Sequence, residues 1–387
     1  MKGVSDPGRQ EREGARHCSW SIGTYPFGVH LPTDTDTDRG QRSSGNSELR
    51  PGHPRRVPSR RIAAIALSLA AVTAVLSLAV AQGSRQPVAD HPHGIPSTPK
   101  NQPHDSQPVH PAPGILGFYA GYENQAGVRA IASELKAPVS QAMDFFDGST
   151  WSTIVGSPAN VVPAWTAAGY QMTWSIPMLP DARSSLLQGA TGAYDKYFAS
   201  MAEYLVAHGQ ASSIIRLGWE FNGYWFSWSA DSCQSCFVSY WRQIVDTMRS
   251  VPGAEFRFEW TPAAGLMPFP IAAAYPGNAW VDIVGLDVYD EVYHDKAGPT
   301  RWHDLLVENL GLDWLASFAS SHHKPIAFPE WGLGFPPAGG GDNPYYITHM
   351  ADYIATHDVV SAIYWDYGTS KLDRAPHSLR AFVAAFG

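Results

Sequence analysis

From Gly114 onward the chain alternates, eight times, a short apolar run with a longer and more polar stretch. The runs are GILGFYAGY from Gly114, APVSQAMDFFDG from Ala137, YQMTWSIPML from Tyr170, SIIRLGWEF from Ser213, EFRFEWTP from Glu255, VDIVGLDVYD from Val281, KPIAFPEWG from Lys324 and VSAIYWDYG from Val360. Between them, AYDKYFASMAEYLVAHG and SYWRQIVDTMRSV repeat apolar residues at helical spacing. Strand–helix alternation calls for parallel strands joined by crossover helices. Eight units over residues 114–387 predict a (β/α)8 TIM barrel. A doubly wound open sheet is the competing arrangement, but it would carry a Gly-rich phosphate loop after the first strand. YAGYENQAG has no GxGxxG spacing.

The N-terminal part has a different texture. Residues 1–61 are rich in Gly, Arg, Ser, Asp and Pro without periodicity and are expected to be a disordered tail or a misassigned leader. Ile62–Ala81 carries no charge and is long enough to span a bilayer as a helix. Arg55, Arg56, Arg60 and Arg61 precede it, which places the N-terminus in the cytoplasm and the downstream chain outside. The stretch ends Ala79-Val80-Ala81, a small-x-small pattern, so it is expected to be a cleaved export signal or an uncleaved transmembrane anchor. A translation start near Val57 would account for the long leader. Residues 82–113 form a Pro/His-rich linker whose histidines, among them His91, His93, His104 and His110, have no spacing that defines a metal site.

Within the eight units, the strand ends are where a barrel places chemistry. There the sequence gathers Asp144 and Asp147, Glu220, Trp260, Asp287 and Tyr289, Glu330 and Trp331, and Trp365 and Asp366. One rim of carboxylates and aromatic planes suits a neutral, ring-shaped ligand. The composition agrees, with 14 Trp and a formal net charge of -8. Without a basic face, nucleic acid is not an expected partner. Cleaving a glycosidic bond needs one carboxylic acid to protonate the leaving oxygen and a second carboxylate to attack or to activate water. Glu220 and Glu330 are the candidates, since each sits near a strand end among aromatic residues. Strand alternation predicts Ile214, Arg216, Gly218 and Glu220 on one inward face, with Arg216 beneath Glu220. Tyr289 is expected to reach Glu330 from the neighbouring strand. Cys233 and Cys236 form a single CxxC, open to a local disulfide, free thiols or a redox role, and too few for a four-cysteine zinc site. No metal or organic cofactor is required for this chemistry, and no ligand cluster stands out.

The same residues carry a resemblance. IIRLGWEFNGYWFSW, Ile214 to Trp228, resembles the acid/base motif of glycoside hydrolase family 26, which is best known for β-mannanases. Arg216, Glu220, Gly223, Trp225, Phe226 and Trp228 match its pattern. KPIAFPEWG is similar to the family's nucleophile strand, and YPGNAWVDIVGLDVYD to the segment whose tyrosine contacts that nucleophile. The resemblance implies a retaining glycosidase with Glu220 as acid/base, Glu330 as nucleophile and Tyr289 beside it. It implies a substrate-binding set of Arg216, Trp219, Asn222, Trp225, Trp260, Tyr289, Trp331 and Trp365. The family has a substrate-contacting His immediately before its acid/base, where this chain has Trp219. The polysaccharide is therefore open among mannan and the xylans and mixed-linkage glucans that other members cut. A non-catalytic polysaccharide-binding barrel and a transglycosylase are the alternatives on the same fold. The expected form is an extracellular monomer, secreted or held to the outer face of the membrane through residues 62–81.

Overall fold

Eight short parallel strands pair in chain order and close on themselves. The computed structural model describes residues 110–180, 183–291, 298–334 and 339–387. The expectations for residues 1–61, for Ile62–Ala81 and for most of the linker lie outside the described residues, as does Cys18. Among the described residues no helix is long and apolar enough to cross a membrane.

The strands are β1 (Leu116–Tyr119), β2 (Gln141–Phe145), β3 (Gln171–Ile176), β4 (Ile214–Leu217), β5 (Arg257–Trp260), β6 (Ile283–Tyr289), β7 (Ile326–Gly332) and β8 (Val359–Trp365). β1 to β7 each lie inside one of the apolar runs, β8 begins one residue ahead of its run, and β8 pairs with β1 to complete the (β/α)8 barrel. The helices are α1 (Gln125–Leu135), α2 (Trp151–Ala168), the short α3 (Leu186–Gly189), α4 (Asp195–Ala207), α5 (Gln234–Arg249), α6 (Pro299–Val307), α7 (Leu312–His322), α8 (Pro344–Thr356) and α9 (Pro376–Phe386). The helical periodicity explains α4 and α5. Phe198, Met201, Ala202 and Leu205 are buried on α4, and Tyr240, Trp241, Ile244, Val245 and Met248 on α5. The chain enters α2 through Thr150, whose hydroxyl accepts from the Thr153 amide while the Thr153 side chain returns to the Thr150 amide.

Period-two alternation sorts the strand residues into two cores. Outward residues pack against the helices, and fully buried Trp165, Trp174, Trp241, Trp260 and Trp331 belong to that layer. Inward residues fill the barrel: Ile214, Ile283 and Ala327 form one cluster, and Tyr119, Met143 and Ile363 another. Gly117 on β1 is forced by this filling, because a Cβ there would meet the Gln141 carbonyl oxygen at 2.8 Å. One irregularity matters for the site. Gly285 and Asp287 on β6 pair with Ala327 and Glu330 on β7, so β7 carries one extra residue over that interval. Its register against β8 shifts over the same stretch. This bulge inverts the alternation, turning Glu330 inward and Trp331 outward, where simple counting from inward Ala327 would do the reverse.

Candidate active site

The polar residues at the barrel mouth converge on one guanidinium. Arg216 points inward from β4 and is fully buried. Its Nη1 donates to Glu330 Oε1 at 2.7 Å and to Ser175 Oγ at 3.2 Å. Its Nη2 is paired with Asp287 on β6. Its Nε lies 4.0 Å from Glu259 Oε1 on β5. The guanidinium also lies over the Trp219 ring, 5.4 Å from its centroid. The second oxygen of Glu330 accepts from the Tyr289 hydroxyl at 2.8 Å, the contact expected between neighbouring strands. Both oxygens of Glu330 therefore accept hydrogen bonds, one of them charge-assisted, which is the pattern of a bound carboxylate.

Glu220 reaches the mouth by a route the alternation did not anticipate. β4 ends at Leu217, and the chain then turns through Gly218 at φ 55° and Glu220 at φ 48°. Left-handed backbone is ordinary for Gly but strained for Glu, and strain of this kind is held only where the surroundings enforce it. Here the Glu220 amide donates to the Thr261 carbonyl at 2.8 Å and its carbonyl accepts from the Gly223 amide at 2.9 Å. At Gly218 a side chain would also collide with Met178. The turn leaves the Glu220 carboxyl buried, with Oε2 accepting from Trp225 Nε1 at 2.8 Å. Burial, reinforced by the charge of Glu330, pushes the Glu220 carboxyl up to about 7, against the opposing pull of Arg216 and Trp225.

Comparisons with known proteins find likeness in sequence over part of the barrel and likeness in fold over most of it. A sequence model described as glycosyl hydrolase family 26 matches residues 196–321, which span Arg216, Glu220 and Tyr289. A mannan endo-1,4-β-mannosidase of Bifidobacterium adolescentis is 28% identical over 272 residues, covering 63% of this chain and 25% of that protein. Over these residues the chain is similar to glycosyl hydrolase family 26. It spans only about a quarter of the length of that curated relative. Among solved structures, the catalytic domain of a family 26 endo-β-1,4-mannanase from a Bacillus species matches with a TM-score of 0.52 at 18% identity, over 70% of this chain and 85% of that one. A Bacillus subtilis mannanase matches with a TM-score of 0.51 at 18% identity, over 71% and 86%. At such identity these two likenesses speak for the barrel fold alone.

Against the family 26 expectations, the structure separates the substrate-binding set into two groups. Half-buried Trp225, Tyr289 and Trp365 lie at the mouth, with Trp365 stacked on Tyr119 at 4.2 Å between ring centroids. Trp219 is mostly covered, wedged among Phe145, Phe226 and Trp228 with one face on Arg216. The other members turn away. Trp260 follows inward Glu259 on β5 and so faces outward, where its Nε1 donates to the Ala274 carbonyl and its ring stacks on Phe318. Trp331 is turned out by the β7 bulge to pack against Tyr364 and Phe382. Both are core residues, not groove residues. Asn222 ties two loops together, donating to the Ala263 and Leu266 carbonyls and accepting from the Ala263 amide. Arg216 is sealed beneath the site and acts on carboxylates, not on a ligand. Asp144 also faces outward, accepting from Trp165 Nε1 and from the amides of Glu123 and Phe145.

Of the two further carboxylates beside Arg216, the sequence placed Asp287 at the strand-end rim without giving it a role, and Glu259 was not named at all. Counting by twos from an inward Ile283 reaches Asp287, and the β5 alternation reaches Glu259, so period two held the signal. Burial pushes Asp287 well above the ordinary carboxylate range and Glu259 up to about 7, with Arg216 opposing in both cases. Beyond the mouth, Cys233 and Cys236 are joined as a disulfide at the N-terminus of α5. Among the described residues no three His, Cys, Asp or Glu are grouped to hold a metal ion.

Proposed function

We propose that the chain is an exported glycoside hydrolase that cleaves a β-linked polysaccharide, mannan or a related polymer, by a retaining double displacement. The observation that carries this reading is the contrast between the surroundings of two carboxyls at the barrel mouth. Glu330 accepts from Arg216 and Tyr289, while Glu220 is buried and keeps its proton up to about 7. A buried carboxyl that keeps its proton suits the acid, and one held by a guanidinium and a hydroxyl suits the nucleophile.

In the first step Glu330 attacks the anomeric carbon and the bond to the glycosidic oxygen breaks. The departing electron pair takes the proton of Glu220, leaving a glycosyl ester on Glu330. In the second step water attacks the same carbon, its proton returns to Glu220, and the ester bond to Glu330 breaks. Arg216 and Asp287 hold Glu330 in place through both steps, and Tyr289 can release its hydrogen bond as the ester forms. Trp225 and Trp365, half-buried on either side, offer ring faces to sugar C–H groups. Export is part of the same proposal. It is supported by the arginines ahead of the uncharged Ile62–Ala81 segment and by the Cys233–Cys236 disulfide, which suits an oxidising compartment. Action as a secreted or surface-anchored monomer belongs to it as well.

The test is release of reducing ends from a panel of β-mannan, xylan and mixed-linkage glucan. One polymer should be cut by the wild type and left intact by Glu330→Ala, and proton NMR should show a first product with the anomeric configuration of the substrate. Full activity in Glu330→Ala, or a product of inverted configuration, would remove Glu330 from its role.

A further inference from the structure

Arg216 faces three inward carboxylates on three successive strands: Glu259, Asp287 and Glu330. Its N–H groups are not shared evenly. Nη1 serves Glu330 and Ser175, and Nη2 serves Asp287. Among the described residues Nε is buried without a hydrogen-bond partner, although Glu259 Oε1 is only 4.0 Å away. Glu259 is fully buried; Oε1 accepts from the Thr261 hydroxyl at 2.7 Å, and Oε2 has no partner among the described residues. The chamber is closed around it, since a Cβ on Gly285 would stand 3.0 Å from Oε1.

One guanidinium cannot balance these three carboxylates and Glu220 in a site shielded from water. Like charges at this spacing repel strongly at low dielectric, so part of the cluster must hold protons. Burial raises Asp287 as well, but Asp287 and Glu330 each contact the guanidinium, which favours their ionised forms, whereas Glu259 receives no hydrogen bond from it and holds a proton at least cost. The charged groups that face it are Arg216 from β4, Arg257 on its own strand, Asp287 from β6 and Glu330 from β7. Burial raises its carboxyl to about 7; Arg216, Thr261 and Arg257 oppose this, and Glu330 adds to it.

We propose that Glu259 is a positioning residue for Glu330: while neutral it leaves the Arg216 fork to Glu330 and Asp287, and once ionised it competes for the guanidinium and loosens the Arg216–Glu330 bond. The proposal rests on reading Glu330 as the nucleophile. It makes Glu259 a brake on the reaction at alkaline pH, separate from loss of the Glu220 proton.

Glu259→Gln is isosteric, neutral at every pH and able to keep the Thr261 contact. The substrate is an aryl β-oligosaccharide of the sugar that the polysaccharide panel selects, with a leaving group that departs without a proton. Its alkaline limb then reports the nucleophile and not Glu220. Wild-type kcat/KM should fall by at least about threefold between about pH 6 and pH 8.5, and Glu259→Gln should stay level over that range while matching wild type at the acid end. Superimposable profiles would overturn the proposal. So would an equal loss in Glu259→Gln at both ends of the range, which marks a purely structural residue. Urea unfolding supplies a second arm that needs no substrate. A folded-state carboxyl raised above its unfolded value makes stability fall as pH rises through that interval. Wild type should therefore lose midpoint relative to Glu259→Gln as pH rises, and parallel midpoints would also overturn the proposal. Failure of both forms to cleave any glycoside, with the midpoint difference intact, overturns the reading of the site and not the ionisation of Glu259.

Discussion

Replacing Trp225 by Phe should move the alkaline limb of the pH–rate profile upward. The indole Nε1 donates to Glu220 Oε2 at 2.8 Å, and this bond favours the ionised carboxyl, working against the burial that lifts it to about 7. Phe keeps much of the ring and loses the donor. A hydrogen bond to a charged group contributes about 1.5–3 kcal/mol. At about 1.36 kcal/mol per pH unit, that bounds the shift at roughly 1–2 units. Trp225 is half-buried, so water can replace part of the lost bond, and the expected shift is about 0.5–1 unit. The sign follows from which form loses its partner. The anion is weakened, the proton is held to higher pH, and Glu220 remains an acid further into the alkaline range. The assay is kcat/KM against pH on the polymer that the panel selects, run also in the Glu259→Gln background so that the shift reads Glu220 alone. An alkaline limb that stays in place or moves down would refute the argument that this hydrogen bond tunes the acid.

The outward positions of Trp260 and Trp331 predict a stability effect. Either residue changed to Ala should lower unfolding free energy by about 3–5 kcal/mol while the protein that remains folded keeps its turnover, as measured by thermal melts and kinetics on the same samples. A normal melt with a raised KM would return that tryptophan to the groove. Changing Cys233 and Cys236 together to Ser opens a very short ring and should cost about 2 kcal/mol without abolishing cleavage. The check is a denaturation midpoint alongside a thiol titration of the wild type, and two reactive thiols besides Cys18 in the folded wild type would reject the disulfide.

The order of the elements was legible without coordinates. Eight apolar runs alternating with helical stretches, with no Gly-rich phosphate loop after the first, pointed to a closed parallel barrel, and the structure places seven strands inside those runs and β8 one residue ahead of its run. Because barrels collect chemistry at strand ends, position along the chain also pointed to Glu220 and Glu330, and neighbouring strand order pointed to the Tyr289–Glu330 contact. Which way a side chain faces was another matter. Alternation carries orientation along a strand only while the backbone stays regular. The bulge in β7 inserts one residue and exchanges Glu330 with Trp331; Pro329, which cannot donate to the ladder, hints at an irregularity there but not at which side chain turns inward. On β5 the phase alone sends Trp260 to the helices and Glu259 to Arg216. After β4, left-handed turns at Gly218 and Glu220 replace the alternation altogether. The gathering of Glu259, Asp287 and Glu330 around Arg216 joins residues far apart in the chain. Local periodicity reports spacing along one strand, whereas the charge balance that sets the state of each carboxyl depends on distances across the barrel, which exist only once it has closed.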